Sequence, residues 1–459
     1  MRNPNVTEPA IDSIGSFLAG AATEIVACHP PVGVRRLSGG ASRETFQVEL
    51  HEALPLIMQR VRAGALSATF SMEDEAVLLR VARSHGVPVA SVIAAIDDPS
   101  VAGSAALFLA FVAGETLPKR ILADPALESA RGLLTKQCGE ALAWIHQIPV
   151  RDVMHLRAQD PLEVVRTLLD VLDEPHPVFE LALRWLAAHR PNTPPPAVVH
   201  GDFRLGNLMV GEDGLRAVLD WELAHLGDPR EDLGWLCAPA WRFGGAHPVG
   251  GFGTIPELLS AYTQAGGAAV EEDDLRWWVV LATVRWGAIC ILQANTHLSG
   301  ASRSVELAVI GRRVCETEHD LLDLLDVPPS GHGDPVAGAT SGSASPSGGV
   351  HDRPDAGELL EAVREFLEND VLDAVTGRVR FHTRVAINAL AMVERELRAG
   401  DSPSQAHRAR LARLNVRSSR ALAAAIRDGE FDERLVSLGP ELRGMVQAKL
   451  SVANPRYDR

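Results

Sequence analysis

The chain has 459 residues, 46% of them hydrophobic, with a formal net charge of −15. That length calls for more than one folding unit with ordinary apolar cores, and the acidic balance excludes a generic nucleic-acid binder, which needs a basic footprint. No apolar run is long enough to span a bilayer and no basic-then-apolar leader opens the sequence, so no membrane insertion is expected, and five scattered cysteines without C-x-x-C spacing fit a reducing, cytoplasmic setting.

The segment Ile11 to Ala27 reads as an amphipathic helix. Val34 to Leu37, Glu44 to Leu50 and Leu56 to Val61 read as strands, with Ser38-Gly39-Gly40-Ala41-Ser42 between the first two. Ser71 is placed to cap a helix with Glu73 and Asp74 in its first turn, and Val77, Leu78 and Val81 recur at helical spacing. Val89 to Ile96 and Ala105 to Val112 read as two more strands. This order makes a small antiparallel lobe, and Leu109 to Gly114 should be the hinge that leaves it.

From Asp124-Pro125 the pattern turns mostly helical: a long helix to His146, then Pro161 to Leu172 and Pro177 to His189. Pro256 to Ala265, Glu271 to Thr296 and Ser302 to Leu325 continue it. Residues 328 to 356 are Gly, Ser, Pro and Ala with few large apolar side chains, the composition of a flexible linker. Beyond it Gly357 to Val371, Gly377 to Arg398, Ser404 to Arg427 and Pro440 to Leu450 read as a small helical bundle. Its apolar stripes are Leu359, Val363, Phe366, Leu367 and Phe381, Val385, Leu390, Val393, Leu397. The division is therefore 1–327, a linker at 328–356, and an all-helical domain at 357–459. The last carries about +2 of the net charge and the remainder about −17.

The richest stretch is Val198 to Val210, VVHGDFRLGNLMV, followed by Ala217-Val218-Leu219-Asp220-Trp221-Glu222. It reads as strand, polar loop, strand, Gly-Glu-Asp-Gly turn, strand. Phosphoryl transfer needs a base beside the attacking hydroxyl and oxygen ligands for magnesium. Asp202, Asn207 five residues later, and Asp220 at the end of the next apolar run supply both. Singly, each has an ordinary reading: a turn Asp, a loop Asn, a capping Asp. As an ordered set they point to a catalytic loop, with Asp202 as base and Asn207 and Asp220 as metal ligands.

The same residues resemble the aminoglycoside phosphotransferase-like family of small-molecule kinases. HGDFRLGNLM with LDWELAHLGDPREDLGWL looks most like the branch associated with acyl-CoA dehydrogenases, over about residues 10 to 327. The resemblance implies an α+β, bilobal, protein-kinase-like fold, ATP and Mg2+ as cofactors, and a small-molecule hydroxyl as acceptor. It implies that His200 braces the loop and that an acid near Asp232 supports it. The branch inclines the acceptor toward a hydroxyacyl compound, with an aminoglycoside or an amino or sugar alcohol as the alternative. The C-terminal helices resemble an uncharacterised domain fused behind such kinases. They are the place for a protein partner or self-association.

Nucleotide contacts are expected from Ser38, Gly39, Gly40 and Ser42, whose backbone amides lie between two strands. Gly-Gly is also a routine hairpin turn. Phe111 either lines an adenine pocket or fills core, and Glu222 either touches metal or faces solvent. Kinases of this fold usually carry a strand lysine, and lysine occurs only at Lys119, Lys136 and Lys449. Arg60, or Gln59, must then meet the phosphates, with Glu75, or Glu73, as the helix partner. Side chains alternate along a strand, so Gln59 and Arg60 cannot both face the nucleotide. The missing lysine leaves a second reading open: a catalytically weak nucleotide-binding scaffold whose C-terminal bundle binds a partner. Trp235, Trp241, Arg242, Trp277, Trp278, Arg285 and Trp286 are expected as core or groove wall, with one or two reaching the acceptor.

Overall fold

The computed structural model describes residues 11–21, 29–39, 43–62, 70–328 and 356–457. The expected linker, apart from its two end residues, lies outside this set. So do Gly40, Ala41 and Ser42, and the expected first helix beyond Ala21. The chain divides into two compact units, Met1–Asp160 with Pro191–Val279 and Pro161–Arg190 with Val280–Arg459.

Unit 1 opens with a five-stranded antiparallel sheet of order β1-β2-β3-β5-β4. The strands are β1 Pro31–Gly39, β2 Arg43–Leu50, β3 Leu56–Val61, β4 Val92–Ile96 and β5 Ala106–Ala110. Residues opposite one another share a face, and Phe46 opposes Met58 while Val48 opposes Leu56. That apolar face closes on the Ile11–Ala21 helix through Ile14 and Leu18, both fully buried. Strand parity therefore places Glu44 and Arg60 on the core side. It places Arg43, Thr45 and Gln59 on the other.

The Met72–Ser84 helix starts where Ser71 Oγ accepts a hydrogen bond from Asp74 N at 3.0 Å. Its buried stripe is Met72, Glu75, Ala76, Leu79 and Ala82, with Leu78 beside it. Val77, expected on the apolar stripe, is exposed. A glutamate, Glu75, stands in the buried stripe, so apolar spacing alone does not trace it.

Asp124 begins a single 3-10 turn, Pro125–Leu127, rather than the long helix itself, which runs Glu128–His146. A separate short helix, Pro118–Ala123, precedes that turn. Glu128–His146 packs on Ile255–Gln264. Gly139 makes this approach possible, since a Cβ there would stand 2.8 Å from Leu258 O. Short strand pairs frame the loop of interest: β6 Ala197–Val199 with β9 His225–Gly227, and the hairpin β7 Leu208–Gly211 with β8 Gly214–Val218.

Unit 2 is helical. Its core includes Leu183, Leu186, Leu321, Leu322, Leu422, Ile426, Leu442 and Leu450. The Ser419–Arg427 helix packs on Pro177–Ala188, and Leu435–Ala453 packs on Val314–Leu324. Arg427 fastens the first contact, donating to Glu180 at 3.0 and 2.6 Å and to Asp170 at 2.8 Å.

Three expectations change here. The stretch Ser404 to Arg427 is two helices, Ser402–Arg413 and Ser419–Arg427. Asn415 takes φ 60° between them, and Ser418 caps the second by accepting from Ala421 N. The stretch Ser302 to Leu325 likewise splits into Val305–Ile310, a 3-10 turn Gly311–Arg313, and Val314–Leu324. Leu359, Val363, Phe366, Phe381, Val393 and Leu397 are exposed rather than core. Their helices, Ala356–Phe366 and Gly377–Ala399, pair with each other, and the second also packs on Val305–Ile310 and on Leu435–Ala453, yet these side chains stay outside the seams.

The helix Glu272–Leu298 is long and apolar enough to cross a membrane, although no such run was read from the sequence. Of its apolar window 78% is buried within the protein, as in a core helix.

Candidate active site

All the groups described below belong to unit 1. β6 delivers His200-Gly201-Asp202 to its end. Gly201 sits at φ 80°, and a Cβ would meet Leu223 O at 2.5 Å, so glycine is required. Asp232, wholly buried, accepts from the backbone N–H of His200 at 2.7 Å and of Gly201 at 2.9 Å. His146 Nε2 donates to it at 3.2 Å. Burial alone would raise the Asp232 carboxyl, but His146, His200 and these amides hold it below its usual value.

His200 is fully buried, and burial lowers its imidazole below the ordinary value. Neutral, it donates from Nε2 to Leu219 O at 3.1 Å and accepts the Asp202 N–H at Nδ1, 3.2 Å away. It braces the loop from both ring nitrogens.

Three donors orient Asp202. Trp235 Nε1 and Arg204 Nε donate to Oδ1 at 2.8 and 3.0 Å, and Asn207 Nδ2 donates to Oδ2 at 2.6 Å. Asn207 closes the 3-10 turn Leu205–Asn207, and its carbonyl accepts from Leu219 N at 2.8 Å. That bond ties the loop to the end of β8, where Asp220 follows at φ 63°. Burial, and then the charges of Glu222, Asp202 and Glu75 against that of Arg43, push the Asp220 carboxyl up to about 7.

Carboxylates this crowded suit a divalent cation. Asp220 with the Asn207 amide is also a fitting donor set for magnesium, which takes one or two carboxylates and completes its shell with water and phosphate oxygens. Among the described residues no group of three His, Cys, Asp or Glu is arranged to enclose a metal by itself.

The expected phosphate contact is corrected. Arg60 points to the core face of the sheet: it pairs with Glu44 at 2.7 Å, donates to Ala102 O at 2.8 Å and lies over the Phe46 ring. Nor does it meet Glu75. Glu75, 2% exposed, is gripped bidentately by Arg43 of β2 at 2.8 and 2.5 Å. Arg43 Nε also reaches Glu222 at 2.9 Å. Glu73, the other candidate partner, is exposed. Alternation could have revealed Arg43: Phe46, Val48 and Leu50 turn one face of β2 inward, and Arg43 falls on the opposite one.

Ser38 and Gly39 end β1, and Gly40 and Ser42 lie outside the described residues. Phe111 is 38% exposed and so is not core. The segment after it is zipped to β7. Glu115 and Val210 exchange backbone hydrogen bonds of 2.8 and 3.0 Å, and Arg216 Nη1 donates to Ala113 O at 2.8 Å. Of the tryptophans, Trp235 reaches Asp202. Trp241 lies beside Trp235, with the Arg204 guanidinium over its ring at 4.8 Å. Trp235 was expected as core or groove wall and Arg204 had no expected role; the folded loop brings both to the carboxylate.

The sequence description of the phosphotransferase enzyme family matches residues 33–278, which contain the whole of this loop, its hairpin and the Arg43–Glu75 pair. The chain belongs to that family. Residues 373–457 match a domain of unknown function. The phosphotransferase is 26% identical over 224 residues to acyl-CoA dehydrogenase family member 10 of Mus musculus, covering 45% of this chain and 20% of that protein. It is 25% identical over 292 residues to family member 11 of the same species, covering 59% and 37%. It thus spans well under half the length of these curated relatives. A solved aminoglycoside-phosphotransferase-like structure from Ralstonia eutropha superposes with a TM-score of 0.55 at 20% identity, covering 69% of this chain and 98% of that one. The fold is therefore kinase-like: an N-terminal antiparallel sheet, a helical lobe and a C-terminal helical region.

Proposed function

We propose that this phosphotransferase uses ATP and Mg2+ to phosphorylate a hydroxyl of a small-molecule metabolite, with a hydroxyacyl compound as the favoured acceptor. The observation that carries the reading is the Asp202–Asn207 hydrogen bond on a loop tied through Leu219 to Asp220. Asp202 is the base. Its carboxylate, fixed by Trp235 and Arg204, aligns the acceptor hydroxyl and takes its proton as the oxygen bonds to phosphorus and the bond to the departing diphosphate breaks. Asn207 and Asp220 hold the cation. When bound, MgATP supplies the phosphoryl group and a metal that spreads its charge. Trp241 and Arg204 form one wall beside Asp202, suited to a flat or anionic part of the acceptor.

The hydroxyacyl preference rests on the likeness to acyl-CoA dehydrogenase family members and on nothing in the pocket itself. We keep the boundaries 1–327, 328–356 and 357–459 as the functional division, with the last part as the place for a protein partner or self-association. The test is phosphate transfer from MgATP to a panel of hydroxyacyl compounds, aminoglycosides and amino or sugar alcohols. Transfer to a hydroxyacyl compound that is lost in Asp202→Asn supports the proposal. Transfer only to aminoglycosides would move the acceptor class. No transfer, together with no magnesium-dependent ATP binding, would overturn the kinase reading.

A further inference from the structure

We infer that Arg43, on β2, is the residue that grips the nucleotide phosphates in this chain, in place of a cation on β3; the inference rests on the kinase reading above. Three observations converge. β3 offers no cation to the cleft: Gln59 is the residue on that face, and Arg60 is turned to the core and paired with Glu44. Arg43 shares the Gln59 face, because Thr45 opposes Gln59 and Arg43 opposes Val61. Arg43 also holds the helix carboxylate Glu75 in a two-bond fork and reaches Glu222, two residues beyond Asp220.

The donor inventory leaves room for phosphate. A guanidinium has five N–H groups in a fixed plane. Glu75 takes two of Arg43's through Nη1 and Nη2, and Nε is ion-paired with Glu222 at 2.9 Å. One further N–H on Nη1 and one on Nη2 have no partner in that fork; they point to opposite edges of the plane, so each offers a single charge-assisted donor to a phosphate oxygen. The two carboxylates pin the side chain in a single pose, so its ordering is settled before the nucleotide arrives. A strand lysine with four rotatable bonds would need the same pinning from one helix glutamate. Here two elements supply it.

The experiment is calorimetric titration of the full chain with MgATP, MgADP and adenosine. Arg43→Met should weaken MgATP and MgADP at least about tenfold, the scale of a lost charge-assisted hydrogen bond. Adenosine, which has no phosphate, should bind as in the wild type. Arg43→Met also leaves Glu75 and Glu222 uncompensated, which would itself repel phosphate or loosen the fold. The triple variant Arg43→Met, Glu75→Gln, Glu222→Gln removes those charges. It should stay weak for MgATP, and adding Gln59→Lys, which restores a cation to the same face, should recover much of the loss. Return of wild-type MgATP affinity in the triple variant would overturn the inference. Equal weakening of adenosine and MgATP would do the same, since it would mark Arg43 as scaffold only. A wild-type chain that binds neither MgATP nor MgADP would instead overturn the kinase reading, and this inference with it.

Discussion

Two residues divide the roles that a motif alone leaves merged. Asp202 is oriented by three hydrogen-bond donors at the centre of the loop, so its replacement should be a chemical lesion. Asp202→Asn should lower turnover at least about a hundredfold, within the usual span of general-base contributions, while MgATP affinity stays near wild type. Single-turnover kinetics beside a binding titration separates the two; near-normal turnover would remove the base assignment. Arg60 is the converse. Arg60→Met strips a buried charge partner from Glu44, which Arg36 at 2.8 Å offsets only in part. The cost should be about 2 kcal/mol in denaturant unfolding, with adenosine and MgATP affinities little changed. The loop carrying Asp202, Asn207 and Asp220 was legible because its chemistry is local: the spacing alone brings the groups together. Alternation puts Arg43 on the face of β2 away from the core, but its pairing with Glu75 was not legible. That pairing depends on which way two strands face, and one step of parity decides it.

At the level of elements, the antiparallel sheet and most helices followed from apolar period and caps, with Ser71 the clearest case. The expected helices were too long where a break falls inside them, at the Gly311–Arg313 turn and, with neither proline nor glycine, at Asn415. Nothing apolar changes between Leu411 and Ala425, yet Asn415 turns left-handed and Ser418 restarts the helix. Asparagine tolerates that conformation and glycine adopts it freely, whereas alanine pays for its Cβ. Asn415→Gly should therefore leave stability within about 0.5 kcal/mol of wild type, and Asn415→Ala should cost about 1 kcal/mol. Equal melting temperatures for the two variants would show that the break does not depend on the left-handed residue.

For the molecule as a whole, unit 2 holds a buried charge cluster whose pH response can be signed. Burial alone would lower the His176 imidazole, but Glu174 and Glu318 outweigh it and hold it above its ordinary 6.5. Burial alone would raise Glu318, yet Lys449 and His176 keep it at about 2 against an ordinary 4.5. The Glu318 contribution is thus fully present above about pH 4.5 and is lost as pH falls toward 2. The His176 contribution is fully present below 6.5 and is lost as pH rises through its folded value. Unit 2 should be most stable between those limits. Melting curves across pH should show both limbs, and Glu318→Gln should flatten the acidic one. An unaltered acidic limb in that variant would locate the sensitivity elsewhere.

The two backbone bonds between Glu115 and Val210 have a mechanical consequence. They weld the segment leaving the sheet to the same hairpin whose strands lead from Asn207 to Asp220. Gly114 permits this contact, since a Cβ there would stand 2.8 Å from Val210 O. A crank and its bearing are joined at this point: bending of the segment must carry the hairpin with it or break both bonds at once. In hydrogen–deuterium exchange the amides of Glu115 and Val210 should open together, at one rate and with one temperature dependence. Gly114→Ala should speed both by the same factor.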